Sequence, residues 1–108
     1  MQNPIQHFLN APNLAGGGTH RISFLDWGDP TSDQVVVCVH GLTRNAHDFD
    51  ALARSLSGWC RVIAIDMAGR GDSDRLADPS QYHYATYVAD AIAVLDNFHL
   101  RSVDWVGT

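Results

Sequence analysis

Val35-Val36-Val37-Cys38-Val39 is an unbroken apolar run, four of its five residues β-branched, and it has no polar face. Such a segment fits a strand covered on both sides, the spine of a parallel sheet. The run stops at His40-Gly41, where a backbone without Cβ can turn sharply and approach a ligand closely, and a helical pattern begins just beyond. In open α/β sheets ligands lie outside the carboxyl ends of the strands. The loop from His40 to Asn45 is therefore the place to look for function.

Before the spine, His7 to Leu14 is mixed and broken by Pro12, and Gly16-Gly17-Gly18 supplies a turn. His20 to Trp27 then alternates, with Ile22, Phe24 and Asp26 on one side and Arg21, Ser23 and Leu25 on the other, which predicts an antiparallel hairpin closed by Gly28-Asp29-Pro30. After the spine, Phe49, Leu52, Ala53 and Leu56 form one stripe of a helix from Ala46 to Leu56, capped by Asn45 and stopped by Gly58. Asp48 favours the positive end of that helix, and Asp50 with Arg54 makes a solvent-side pair worth only about 0.3 kcal/mol. Arg61 to Ile65 reads as a second buried strand. A longer helix is predicted from Tyr84 to His99, with Tyr84, Tyr87, Val88, Ala91, Ile92, Leu95 and Phe98 toward the sheet and Thr86, Asp90 and Asn97 toward water. Val103 to Val106 starts a third parallel strand. Strand, helix, strand, helix, strand is the alternation of a doubly wound α/β fold, here a mostly parallel sheet with an N-terminal antiparallel hairpin.

Composition narrows the partners. The 108 residues allow a single modest core, and 45% hydrophobic with 18% charged residues is ordinary for a globular chain. All seven basic residues are Arg and all twelve acids are Asp, a bias without a folding explanation. A net charge of -5 with scattered arginines argues against nucleic acid or an anionic membrane surface as partner. Two cysteines, Cys38 and Cys60, make no disulfide framework and suggest reduced thiols. Neither a basic leader followed by an apolar block nor a segment of bilayer length is present in these residues, so a cytoplasmic location is expected.

Three motifs converge at the strand ends: His40-Gly41 after the first buried strand, Asp66-x-x-Gly69-x-Gly71-x-Ser73 after the second, and Val106-Gly107-Thr108 after the third. In order and placement they resemble the α/β-hydrolase superfamily, whose nucleophile sits in a G-x-S-x-G elbow that the last motif would open. The resemblance covers nearly everything from His20 onward and implies the N-terminal half of that fold. It further implies that the backbone N–H of Leu42 is one of two oxyanion donors, with His40, Gly41, Thr43, Arg44 and Thr108 around the substrate. The nucleophile, the acid and the catalytic His would all lie beyond Thr108, so none of the six His residues is the triad base and these residues alone are expected to be inactive. No cofactor or metal is implied.

Blander readings weigh on several of these residues. His40 fits an orienting hydrogen bond better than a reacting group. Gly69 and Gly71 lack the third glycine of a dinucleotide fingerprint and do not open a helix directly. Asp66 and Ser73 suit hydrogen bonds to loop backbone, and Asp72 and Asp74 read as solvated. Tyr82, His83 and Tyr84 anchor the helix start or border a pocket, the first being preferred, and Arg44 overhangs the site or merely faces solvent. No His, Cys and Asp spacing suggests a metal site. Thr43 stands where epoxide hydrolases and haloalkane dehalogenases of the superfamily usually carry Pro, and Leu42-Thr43-Arg44-Asn45 is poorer in glycine than the loop of carbon-carbon bond hydrolases. A serine carboxylesterase or lactonase is the expectation that remains. Its alternatives are those three relatives, a non-catalytic α/β-hydrolase-fold binding protein, and a flavodoxin-like domain.

The last strand, if paired with the spine, leaves its other edge open beside Trp105, an arrangement stable soluble proteins avoid. The expected partners are therefore a small-molecule substrate and the remainder of the same hydrolase as a second polypeptide, with a homo-oligomer left open.

Overall fold

The computed structural model describes residues 3–100 and 102–108. Strands β1 (Ile5–Pro12), β2 (Thr19–Trp27) and β3 (Val35–Val39) come first. A 3₁₀ turn at Ala46–Phe49 then runs into helix α1 (Asp50–Leu56), and β4 (Arg61–Ile65), helix α2 (Tyr84–Asn97) and β5 (Asp104–Gly107) follow. They build one mixed sheet in the order β1-β2-β4-β3-β5. β3 is parallel to both neighbours, with Val37 opposite Ile63 on β4 and Trp105 on β5. β2 joins the parallel part through antiparallel pairing with β4, and β1 folds back on β2 along its whole length. This is the α/β arrangement, N-terminal hairpin included, that the alternation of elements predicts.

The absence of a polar face in the spine is explained by two cores. Alternate residues of a strand point to opposite faces. Val35 and Val37 join Ile22, Phe24, Ile63 and Ile65 beneath Ala91 and Val94 of α2. Val36 and Cys38 join Leu25, Trp27, Val62 and Ala64 beneath Phe49 and Ala53. Full burial of each Val or Ile is worth about 2 kcal/mol, so the spine stabilises both layers together. Cys38 and Cys60 are free and buried, and burial pushes the Cys38 thiol up to about 11.

One buried ion pair ties the hairpin to the sheet. Asp26 on β2 accepts from Arg61 Nε (2.9 Å) and Nη2 (2.7 Å), the bidentate fork that suits guanidinium and carboxylate. The guanidinium lies 4.2 Å from the Phe98 ring centroid, and His7 of β1 reaches Asp26 at 3.2 Å.

Four expectations need correction. β1 begins at Ile5, and Pro12 ends it rather than breaking it, because a strand's last position on a sheet edge needs no N–H there. The first helix opens as a 3₁₀ turn. Leu52 falls off its buried stripe at 38% exposure, while Asn45 caps the turn by accepting from His47 N. Asp50 and Arg54 do not pair: Asp50 meets His47 Nδ1 at 3.0 Å, and Arg54 lies over the Trp27 ring. Last, α2 is rotated. Thr86 and Asp90 are buried, whereas Tyr84, Val88 and Ile92 are exposed at 87%, 56% and 50%. The helix carries two adjacent apolar stripes, and His20 of β2 selects between them by holding Asp90 Oδ1 at 2.8 Å.

Candidate functional site

The site is assembled where β3, β4 and β5 end. His40 is 6% exposed and is held on both ring nitrogens: Nε2 accepts from Met67 N at 2.9 Å, and Nδ1 donates to Gly41 O at 2.7 Å. Only the tautomer with its proton on Nδ1 satisfies both bonds. Gly41 O also accepts from Arg44 N at 3.1 Å. The Gly41–Leu42 peptide bond is trans, so fixing the Gly41 carbonyl fixes the Leu42 N–H on the opposite side of the same peptide plane. Among the described residues none accepts from that N–H, and Leu42 is 77% exposed.

Gly41 also borders the end of β5. A Cβ at Gly41 would lie 3.6 Å from Thr108 Oγ1 and 3.7 Å from Thr108 O, while Thr108 N donates to Val39 O at 3.3 Å. The loop after β3 and the terminus of β5 are thus in van der Waals reach. Thr43 and Arg44 are exposed, and Arg44 makes a bidentate pair with Asp48 (2.7–3.1 Å), which consumes its charge on the surface.

The loop after β4 buttresses this arrangement. Asp66 accepts from Ala46 N (2.8 Å) and Asp72 N (3.1 Å), and Ser73 Oγ donates to Asp66 O (2.6 Å) while accepting from Ser23 N (2.8 Å). Gly71, at φ +51°, packs so tightly on the Asp66 carboxylate that a Cβ would overlap it. Asp72 and Asp74 are not simply solvated. Asp72 takes a bond from Gln6 Nε2 (2.7 Å), and Asp74 takes one from Arg21 N (2.8 Å), so they fasten the loop to the hairpin. Tyr82 accepts from Leu76 N through its hydroxyl, and His83 begins α2 without a side-chain cap.

Sequence reasoning missed Arg70 and Tyr87. Arg70 Nε donates to Leu42 O, and its Nη1 donates to Ala68 O and to the Tyr87 hydroxyl on α2, each at 3.0 Å. Its position between two glycines of a motif hinted at a tight turn but not at a clamp on another loop. Among the described residues no group of three or more His, Cys, Asp or Glu side chains is placed to hold a metal, and no helix is long and apolar enough to cross a membrane.

A Leu42 amide without an acceptor among the described residues, the buried His40 and an adjoining third strand end thus stand together at the carboxyl edge of the sheet. Residues 34–108 match the model of the alpha/beta hydrolase fold family, and the chain belongs to that family. It is similar to a 3-hydroxybutyrate-oligomer hydrolase of Cupriavidus necator, 43% identical over 88% of this chain and 32% of that protein. It is also similar to a serine hydrolase-like protein of Danio rerio, 32% identical over 75% of this chain and 24% of that protein. An α/β hydrolase of Novosphingobium aromaticivorans superposes with a TM-score of 0.84 at 34% identity, covering all of this chain and 36% of that structure. The chain thus spans about a quarter to a third of the length of such relatives.

Proposed function

We propose that this chain supplies the oxyanion loop of an ester hydrolase that works through a serine acyl-enzyme, the serine being the residue after Thr108. The observation that carries this reading is the Leu42 N–H, whose peptide plane is fixed by the His40 bond to Gly41 O, with Gly41 itself bordering Thr108 at the end of β5. As a nucleophile there attacks an ester carbonyl, negative charge develops on the carbonyl oxygen, and an aimed amide stabilises it without reorganising. The second donor would be the N–H following the nucleophile, and a His elsewhere in the protein would take the serine proton. Similarity to a hydroxybutyrate-oligomer hydrolase favours an ester or lactone of a hydroxy acid as substrate.

In the same reading, the open edge of β5 and the exposed Val88, Ile92 and Trp105 seat the remainder of the hydrolase. An apolar groove lined by these three with Val39, Met67 and Tyr87 is larger than an isolated exposed residue would explain.

The test is turnover of a 4-nitrophenyl ester by the full-length protein, with mass detection of the acyl-enzyme. Leu42→Pro removes the N–H and should lower kcat by about 100- to 1000-fold while the protein stays folded. Absence of turnover favours a binding protein of the same fold. An ester intermediate on aspartate would instead favour the epoxide or haloalkane class.

A further inference from the structure

We propose that Arg70 is an anion anchor at the rim of the site, so that the preferred ester also bears a free carboxylate a few bonds from the scissile carbonyl. This rests on the ester-hydrolase reading above. Among the neighbouring arginines, Arg44 meets Asp48 at 2.7 Å and Arg21 lies 3.9 Å from Asp74, while Arg75 is exposed to solvent. The buried Arg61 meets Asp26 at 2.7 Å. Arg70 differs, since all three of its hydrogen-bond partners are neutral oxygens: Leu42 O, Ala68 O and Tyr87 Oη.

Arginine has five N–H donors and stays charged at any working pH. Nε and Nη1 use three of them here, and among the described residues no acceptor meets Nη2. Arg70 is half-buried, and its guanidinium lies near the Tyr82 and Tyr87 rings, 5.8 and 5.4 Å from their centroids, which with its three hydrogen bonds limits its motion. Because Nε bonds the carbonyl of Leu42 itself, this cation lies within roughly 7 Å of the Leu42 amide nitrogen. A carboxylate on Nη2 would therefore be neighbour to the oxyanion position, with its charge answered by one that nothing else in the described chain answers. Charge-assisted bonds of this kind are about twice as strong as neutral ones.

The experiment compares matched pairs in the full-length protein. For turnover the pair is 4-nitrophenyl hemiglutarate and 4-nitrophenyl valerate, which differ only in a terminal carboxylate against a methyl. For binding without turnover it is glutaramate against valeramide, followed by calorimetry. We expect the wild-type protein to favour the carboxylate member by at least about tenfold in both measurements, with the preference carried in KM and weakened by salt. Arg70→Met should erase that preference, and Arg70→Lys, which keeps the charge, should retain part of it. Equal treatment of both members by the wild type, a preference that survives Arg70→Met, or an Arg70→Met loss equal on both esters and confined to kcat would overturn the anchor. If glutaramate binds selectively through Arg70 while neither ester is hydrolysed, the anchor stands and the ester-hydrolase reading falls.

Discussion

His40 donates through Nδ1 to the carbonyl of Gly41, the next residue in the chain, at 2.7 Å, and so the orientation of the Leu42 amide is set by a side chain buried beneath the loop. The other ring nitrogen ties the same imidazole to Met67 at the end of β4. In the proposed mechanism His40 is thus a positioning residue. His40→Ala should lower kcat toward an aryl ester by about 10- to 100-fold, less than complete loss of an oxyanion donor, with KM little changed. His40→Gln keeps an acceptor and a donor on one planar group and should recover part of the loss. Steady-state kinetics on the two variants check this.

Gly71 sits against Asp66, whose carboxylate bonds Ala46 N and Asp72 N. Gly71→Ala imposes a positive φ on an L-residue and drives Cβ into that carboxylate, so stability should fall by about 2 kcal/mol or more. Urea unfolding measures it, and a change within 0.5 kcal/mol of zero, roughly the range of neutral surface substitutions, would contradict the packing described.

The Asp26–Arg61 pair is buried on both sides, at 8% exposure each. Asp26→Leu strands the guanidinium and should cost about 3–5 kcal/mol, whereas Asp26→Leu combined with Arg61→Met should cost distinctly less, because no buried charge is left unpaired. A double-mutant cycle by urea unfolding separates the two cases.

Burial pushes the Asp90 carboxyl above the usual carboxylate range, against the opposing pull of its hydrogen bond to His20, and its Oδ2 meets no partner among the described residues. A carboxyl raised in the folded state favours its protonated form there. Its contribution to stability is present in full below the ordinary value of about 4 and is lost as pH rises through the raised value. Asp90→Asn cannot titrate. The stability of the wild type relative to this variant should therefore fall as pH increases from about 4, measured by urea midpoints across a pH series.

Much of this architecture was legible in the residues. The valine run, the second apolar strand and the His-Gly and Asp-Gly-Gly-Ser spacings place three strand ends and their loops together, because a two-sided core and tight turns leave their mark locally. What was not legible depends on partners distant in sequence. The α2 face was misjudged because two apolar stripes compete on that helix, and the contact that decides between them comes from His20, 70 residues away from Asp90. The expected Asp50–Arg54 pair lost Arg54 to the distant Trp27 ring, while Asp50 went to His47 within the same turn. Arg70 gave no periodic signal, since its role lies in reaching a carbonyl 28 residues earlier in the chain.

In the proposed mechanism the Leu42 amide receives the oxyanion formed by a serine following Thr108. The most direct measurement is a crystal structure of the full-length protein after reaction with a fluorophosphonate, whose tetrahedral phosphonyl group mimics the acylation intermediate. An adduct is expected on that serine, with a phosphonyl oxygen about 2.7–3.1 Å from Leu42 N. An adduct whose oxygen lies beyond hydrogen-bond reach of Leu42, or a full-length protein that forms none, would contradict it.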